Sequence, residues 1–530
     1  MTEAWIIDGC RTPRGIGKPG KGALSGIHPQ HLGATVLKAL AERNDLNTAE
    51  VDDIIWGTSS QRGQQGGDLG RMAALDAGYD IKASAVTLDR FCGSGITSVN
   101  IAASSVMSGM EDLVIAGGTE MMSTYGQGGS NSSPFMDSGN ERLRSVHPQH
   151  LGATVLKALA ERNDLNTAEV DDIIWGTSSQ RGQQGGDLGR MAALDAGYDI
   201  KASAVTLDRF CGSGITSVNI AASSVMSGME DLVIAGGTEM MSTYGQGGSS
   251  SSPFMDSGNE RLRSIHPQPH QGVCADAIAT LENISREDVD KLALVSQENA
   301  AKALEGGHFD KSLVPVYKED GSLALDHEEF PRPNTTLEGL SELKASFESL
   351  ADYPLDEDGT TFRKLVLQKY PDLEINHVHH AGNSSGVVDG AAALLLTSPD
   401  YAKANGMKPR AKVKAMANMG DSPTLMLNAP VPAAKKVLDK AGLTLQDIDL
   451  FEVNEAFSVV TEKFIRDLDV DREKINVNGG AMALGHPIGA TGSILVNTIV
   501  DELERRDAQF GLVTMCAAGG MAPAIIIERM

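Results

Sequence analysis

The chain has 530 residues, a formal net charge of −25 and 41% hydrophobic residues, enough apolar material to bury a sizeable core. Its acidic balance argues against binding to a nucleic-acid backbone, because such affinity depends on clustered Lys and Arg and no such cluster occurs. No apolar run is long enough for a membrane helix, and the start of the chain does not resemble a leader peptide. We therefore expect a cytoplasmic protein without nucleic-acid or membrane partners.

Strand and helix patterns alternate from the start of the chain, which predicts an α/β protein with a mostly parallel sheet. The stretch 266–376 breaks this alternation: it contains one helical segment, 288–304, and then a charged section with prolines. The predicted strands are Ala4–Asp8, Asp53–Trp56, Ala85–Leu88, Leu113–Ala116, Asp449–Glu452, Ile475–Val477 and Leu512–Met515. The predicted helices are 32–43, 69–77, 95–107, 431–441, 456–467 and 494–503.

A long internal repeat complicates this pattern. Residues 28–146 recur as residues 147–265, with only Asn131 against Ser250 and Val146 against Ile265 differing. Solenoid repeats are shorter and more diverged, so we interpret this unit of 119 residues as a tandem duplication of part of one domain. Every motif inside the repeat is therefore present twice.

The five cysteines are scattered and include no C-x-x-C pair, which favours reduced thiols and no metal site. No cofactor is expected. Cys92 follows a predicted strand and opens a helix, where unpaired N–H groups favour a thiolate; Cys211 is its duplicate. A cysteine beside glycines is more often a small packing residue, so the motif alone is weak. The cysteines are Cys10, Cys92, Cys211, Cys274 and Cys516.

Three further motifs lie in the last third of the chain. His486 stands in a glycine-rich turn before a helix and could accept a thiol proton near neutral pH. Asn454 and Cys516 each follow a predicted buried strand, and the ends of parallel strands are where α/β sheets place ligands. Each motif is weak by itself, because a lone turn histidine is usually a surface or capping residue.

Together these motifs resemble the thiolase family over the whole chain apart from the extra copy. Further strings fall in the family's order: Arg11-Thr12-Pro13, Gly117 to Met122, Pro331-Arg332-Pro333, Ala381 to Gly386 and Asp389 to Ala392. The resemblance implies a five-layered α-β-α-β-α fold of two similar halves, with a loop domain that covers coenzyme A. It also implies a homodimer or homotetramer whose substrates are acyl-CoA, acetyl-CoA and coenzyme A.

On this resemblance the domains are the first N-terminal half, its duplicate, the loop domain, a return to the N-terminal half and the C-terminal half. Their ranges are 1–146, 147–265, 266–376, 377–398 and 399–530.

The resemblance also implies a ping-pong reaction in which the thiol of Cys92 or Cys211, deprotonated by His486, takes up the acyl group. Cys516 would then move the α-proton of acetyl-CoA, and one oxyanion site would use His486 with a water held by Asn454. The substrate-binding residues implied are Arg332, Ser385, His270, Gln271, Met419 and Ala518. Ala518 replaces a common glycine, and Gln271 replaces a common methionine.

The identical sequences leave the choice of nucleophile open. We favour Cys92, because the first copy follows the predicted strand Ala4–Asp8 directly and emerges first during synthesis. That strand is expected to be central, so the second copy would be a loosely folded insertion. Two alternatives remain: a ketoacyl-synthase-like condensing enzyme, which Cys516 argues against, and an inactive thiolase-fold protein disrupted by the duplication.

Overall fold

The computed structural model describes residues 3–13, 21–124, 146–243, 254–318 and 320–530. The strands within them are β1 (Asp53–Gly57), β2 (Ser84–Asp89), β3 (Val114–Gly118), β4 (Asp172–Gly176), β5 (Ser203–Asp208), β6 (Leu232–Met240), β7 (Val316–Tyr317), β8 (Leu323–Leu325), β9 (Asp389–Thr397), β10 (Ala411–Gly420), β11 (Leu450–Val453), β12 (Phe510–Thr514) and β13 (Met521–Arg529).

Seventeen α-helices lie within the same described residues, and the longest occur in the loop domain and the C-terminal half. They are α1 (Pro29–Arg43), α2 (Leu69–Ala77), α3 (Ser94–Met107), α4 (Pro148–Arg162), α5 (Leu188–Asp195), α6 (Ser213–Ser227), α7 (Glu260–Ile265), α8 (Gln271–Leu281), α9 (Arg286–Glu305), α10 (Leu337–Ser341), α11 (Glu348–Ala351), α12 (Phe362–Leu367), α13 (Pro399–Ala404), α14 (Pro430–Ala441), α15 (Ser458–Leu468), α16 (Ala481–Leu484) and α17 (Ile488–Arg506). None of them is long and apolar enough to cross a membrane.

Two sheets and three helical layers form the core. A seven-stranded sheet has the order β3-β1-β2-β5-β4-β6-β9, and a four-stranded sheet has the order β10-β13-β12-β11. Helices α6 and α17 pack between the sheets, α4 and α5 cover the outer face of the first, and α14 covers the outer face of the second. The α/β class is therefore confirmed, with the layer order that the resemblance implied.

The two copies meet in the middle of the seven-stranded sheet. Strand β2 of the first copy pairs antiparallel with β5 of the second, whereas the strands within each copy are parallel. Only the second copy pairs with β9, which lies antiparallel to β6 over nine residues. The strand that follows the loop domain therefore extends the second copy, whereas the first copy was expected to complete the N-terminal half.

The predicted strand Ala4–Asp8 is wrong. These residues have no strand partner, and Trp5, Ile6 and Ile7 are each at least 75% exposed. In the C-terminal half the first strand, β10, lies at the sheet edge beside the antiparallel last strand, β13. The expectation of a central first strand was also wrong. The described part of the first copy has no counterpart of β9. Residues 4–8 therefore lack the antiparallel neighbour that they would need to form an edge strand.

The predicted strand over 475–477 is reduced to a single bridge between Ile475 and Phe451. Asn476 has a φ of 44°, which breaks the extended backbone. Its side chain instead pairs with both backbone groups of Val453, each at 2.8 Å. The amide side chain thus replaces the hydrogen bonds that a further strand would make.

Candidate active site

The segment around Cys211 is a tight turn between β5 and α6. Phe210 has a φ of 49°, which a bulky residue rarely adopts, and the Asp208 carboxylate accepts its backbone N–H at 2.6 Å. This turn holds Cys211 immediately before the N-terminus of α6, where free backbone N–H groups collect. A strained backbone that presents a cysteine in this way is typical of functional sites.

The environment of the turn differs sharply between the two copies. Cys211 is buried, whereas Cys92 in the identical turn of the first copy is exposed. Ile215 on α6 is fully buried, whereas its counterpart Ile96 on α3 is 73% exposed. Helix α17 of the C-terminal half covers α6, and no helix of that half covers α3 in the same way.

Glycines allow this close contact with the C-terminal half. A methyl group on Gly214 would lie 2.7 Å from the backbone nitrogen of Gly492, and one on Gly212 would lie 2.9 Å from Pro523. The turn of Cys211 therefore touches both α17 and β13. At Gly95, the counterpart of Gly214, nothing lies within 4 Å.

His486 lies in the turn that leads into α17 and is almost fully buried. Its Nδ1 is 2.6 Å from the hydroxyl of Thr491, and its Nε2 is 3.4 Å from the side-chain nitrogen of Asn454. Its backbone N–H donates to the carbonyl of Gly386. Burial lowers the pKa of His486 to about 4, so the imidazole is neutral at pH 7 and can accept a proton.

Cys516 follows β12 and is also buried. Burial raises the pKa of Cys516 to about 12. The pKa of Cys211 is raised well above its ordinary value, first by burial and next by its electrostatic interaction with Cys516. Cys211 therefore lies close enough to Cys516 for a charge on that thiol to act on it.

Asn454 follows β11 at the same edge of the C-terminal sheet. Its backbone N–H donates to the carbonyl of Thr514, two residues before Cys516, at 3.1 Å. Its buried Oδ1 has no hydrogen-bond partner among the residues that the structure describes. A buried amide oxygen without a partner is costly, which favours a role toward a bound molecule.

Three supporting residues were missed by the sequence-based interpretation. Thr491 fixes the orientation of the His486 ring, and buried Glu239 accepts the backbone N–H of Gly489 at 2.9 Å. Buried Glu455 accepts hydrogen bonds from Ser296 and Asn476 and from the backbone of Met482. Thr491 lies five residues after His486, in the first turn of α17, a spacing that helical periodicity does not mark as a contact.

Comparison with known proteins identifies the family. The family model "Thiolase, C-terminal domain" matches residues 407–529, and "Thiolase, N-terminal domain" matches residues 4–133 and again 129–351. The chain belongs to the thiolase family. As a thiolase it is an acyl-CoA C-acyltransferase.

Curated thiolases resemble the chain over most of their own length. The steroid 3-ketoacyl-CoA thiolase of Mycobacterium tuberculosis is 36% identical over 400 residues, which is 73% of this chain and 90% of the relative. The acetyl-CoA acetyltransferase of Chromobacterium violaceum is 36% identical over 401 residues, covering 73% and 95%. The 3-ketoacyl-CoA thiolase of Aliivibrio fischeri is 36% identical over 405 residues, covering 75% and 97%.

A groove lies beside the glycine-rich segment that carries His486, and Met482 of that segment lines it. Exposed Arg332 lies in this groove with its guanidinium 5.7 Å from the centre of the Phe330 ring, and Gln297 accepts its backbone N–H. Ser385 donates its backbone N–H to Ala456, next to Glu455. The other groove residues include Asn334, Thr336, Leu340, Gly382 and Met482.

The remaining predicted substrate-binding residues lie in different surroundings. His270 caps α8 and packs against Phe347 and Phe362, while Gln271 is exposed. Ala518 is half-buried two residues from Cys516. Met419 packs against the hydrophobic cluster under α14, and the structure does not bring it to the groove.

The described residues contain no group of three or more His, Cys, Asp or Glu side chains that could hold a metal ion.

Proposed function

We propose that this thiolase makes and breaks 3-ketoacyl-CoA reversibly, with Cys211 as the residue that carries the acyl group. The observation that carries the proposal is the burial of the Cys211 turn against α17 and β13 of the C-terminal half, where Cys516 contributes to raising the pKa of Cys211. The exposed turn of Cys92 lacks that cover. The two cysteines therefore have the same local sequence but different surroundings, and we assign the reaction to Cys211 only.

In the first half-reaction the Cys211 sulfur attacks the thioester carbonyl of an acyl-CoA. His486 accepts the thiol proton, the bond between the carbonyl carbon and the coenzyme A sulfur breaks, and the departing thiolate takes the proton from His486. Both resting groups are neutral, because burial disfavours the thiolate and the imidazolium. The transient ion pair then needs only the movement of one proton between them.

In the second half-reaction Cys516 exchanges a proton with the α-carbon of acetyl-CoA. In the synthetic direction Cys516 first gives its thiol proton to His486 and, as the thiolate, removes the α-proton. The resulting carbanion attacks the acyl group on Cys211, the bond to the Cys211 sulfur breaks, and this sulfur takes the proton from His486. The negative charge on the thioester oxygen requires hydrogen-bond donors. We assign one donor site to His486 and Asn454, which are adjacent, and a second to the backbone N–H groups of Cys211 and Ala518.

The proposed function also extends to the substrates, the location of the protein and its oligomeric state. Names of the relatives refer to 3-ketoacyl-CoA and acetyl-CoA, so we propose that the chain uses coenzyme A thioesters and needs no cofactor. We assign the recognition of coenzyme A to the groove at Arg332. All five cysteines are free thiols, which supports a cytoplasmic location. Association into homodimers or homotetramers remains a prediction.

A matched pair of substitutions tests the assignment of the nucleophile. Cys211→Ala should lower kcat for thiolysis of acetoacetyl-CoA roughly 10³-fold or more, because no other group can carry the acyl. Cys92→Ala removes the same atom from the same local sequence and should leave kcat unchanged. Both are measured by loss of the 3-ketoacyl-CoA absorbance. Full activity in Cys211→Ala would overturn the assignment.

A further inference from the structure

The two copies are related by an internal two-fold axis at the β2–β5 pairing. Leu88 pairs with its own counterpart Leu207, while Thr87 pairs with Asp208 and Asp89 with Thr206, which are the same two contacts seen from each side. A contact in which residue i meets j and j meets i is the isologous interface of a two-fold dimer. Here both sides belong to one chain.

The side chains at this axis repeat the same symmetry. Arg90 Nε donates to the carbonyl of Ala204 at 2.8 Å, and its duplicate Arg209 donates to Ala85 at 2.8 Å. Two buried or partly buried ion pairs complete the set. They are Arg90 with Asp172 and Arg209 with Asp53.

One arginine departs from the symmetry. Arg71 on α2 of the first copy is fully buried, and its Nε donates to the carbonyl of Gly519 at 3.0 Å. Its Nη2 donates to the carbonyl of Asp421 at 3.3 Å. The duplicate, Arg190, is only partly buried and donates to Ile200 and Ala202 within its own copy.

Gly519 belongs to the loop that carries Cys516 and Ala518. It has a φ of 74° and its neighbour Gly520 a φ of 72°, so the loop turns sharply at the point that Arg71 holds. The Gly519 carbonyl accepts a charge-assisted hydrogen bond, which is stronger than a neutral one. The first copy thus reaches the active-site loop although its own cysteine is exposed.

We propose that the first copy acts as a second subunit within the chain, and that Arg71 is a positioning residue for the Cys516 loop. The first copy then has a defined structural task and is not a loosely folded insertion. The role of Cys516 rests on the proposed function. The pairing of the two copies and the hydrogen bond from Arg71 to the Gly519 carbonyl do not depend on it.

The repeat supplies a matched control for Arg71. Arg71→Met should raise the hydrogen-exchange rate of peptides covering residues 515–522 by about tenfold or more, because the Gly519 carbonyl loses its buried partner. It should also lower kcat for thiolysis by about tenfold, with KM changed less than about threefold, since misplacement of a catalytic group acts on the chemical step. Arg190→Met should change neither quantity.

Each outcome decides the positioning role. Unchanged exchange and kcat in Arg71→Met, or equal losses in Arg190→Met, would overturn it. Arg71→Lys keeps the charge with fewer donors, so intermediate exchange is expected, and it replaces Arg71→Met if that variant does not fold. If the parent chain has no thiolase activity, the proposed function fails while the exchange measurement still tests the hold on the loop.

A cross-link tests the pairing within one chain. Opposed residues of an antiparallel pair have Cα atoms about 4.5 to 5.5 Å apart, which suits a disulfide. Oxidised Leu88→Cys/Leu207→Cys should therefore remain at the single-chain mass of 55.8 kDa, with two fewer titratable thiols than its reduced form. Each single substitution should lose no thiols. A covalent dimer would show that the copies pair between chains and would overturn the proposal.

Discussion

At the scale of single residues, burial keeps the reactive groups neutral. Burial raises the pKa of the Cys211 and Cys516 thiols and lowers the pKa of His486. Neutral thiols and a neutral imidazole avoid uncompensated buried charges, which would be costly. On the proposed function, the thiolate forms when the substrate is in place.

The depressed pKa of His486 predicts a pH-dependent stability. Its pKa falls from 6.5 in the unfolded chain to about 4 in the folded chain. The unfolded state therefore binds the extra proton first, and the stabilisation present above pH 6.5 is lost as the pH falls from 6.5 toward 4. Between pH 7 and 5 this group alone should remove about 2 kcal/mol of unfolding free energy.

His486→Gln isolates this effect. Urea unfolding gives the unfolding free energy of the parent and the variant at pH 7 and at pH 5. The loss of unfolding free energy from pH 7 to pH 5 should be smaller in the variant than in the parent by about 2 kcal/mol. His266 also has a lowered pKa because of burial, but it titrates equally in both proteins and cancels. An identical pH dependence in parent and variant would show that His486 is not a buried neutral group.

At the scale of the elements, the contact between α6 and α17 distinguishes the second copy from the first. Gly214→Ala would place a methyl group 2.7 Å from the backbone of Gly492, so we expect a loss of about 1 to 3 kcal/mol from overpacking. Gly95→Ala, with open space around it, should be neutral or stabilise α3 by up to about 1 kcal/mol. Calorimetric unfolding temperatures measure both. Equal shifts of the unfolding temperature in the two variants would contradict the difference in packing between α6 and α3.

Local pattern predicted most of these elements. Helix α2 begins and ends at Leu69 and Ala77 as its periodicity indicated, and the predicted strand 85–88 lies within β2. Whether Ala4–Asp8 forms a strand could not be predicted from local pattern, because a strand needs a hydrogen-bonded neighbour. Which strands become neighbours depends on the topology of the whole sheet. The choice between Cys92 and Cys211 was beyond any local pattern, since their surroundings in sequence are identical.

The site was predictable to a similar extent. His486, Cys516 and Asn454 stand out because polar residues follow buried strands and glycine turns. The structure places Asn454 beside His486 and hydrogen-bonds its backbone to Thr514, two residues before Cys516. Arg71 could not be found from the sequence, because its partner Gly519 is more than 400 residues away. Its duplicate Arg190 has the same neighbours in sequence and no such contact.

At the scale of the molecule, the chain contains one C-terminal half and two copies of much of the N-terminal half. The second copy pairs with β9 and packs on α17, and we propose that it forms the complete thiolase unit. The first copy continues the same sheet across the internal two-fold axis. On the proposed function, one complete active site per chain is expected, with Cys211 in it.

Trapping the acyl group tests this claim most directly. The protein is mixed briefly with acetyl-CoA, quenched in acid and digested with trypsin, which releases Phe91–Arg142 and Phe210–Arg261. These peptides differ only at Asn131 and Ser250, so mass spectrometry separates them although both contain the same cysteine motif. We predict the acetyl group on the peptide with Ser250. Acetylation confined to the peptide with Asn131 would contradict the account.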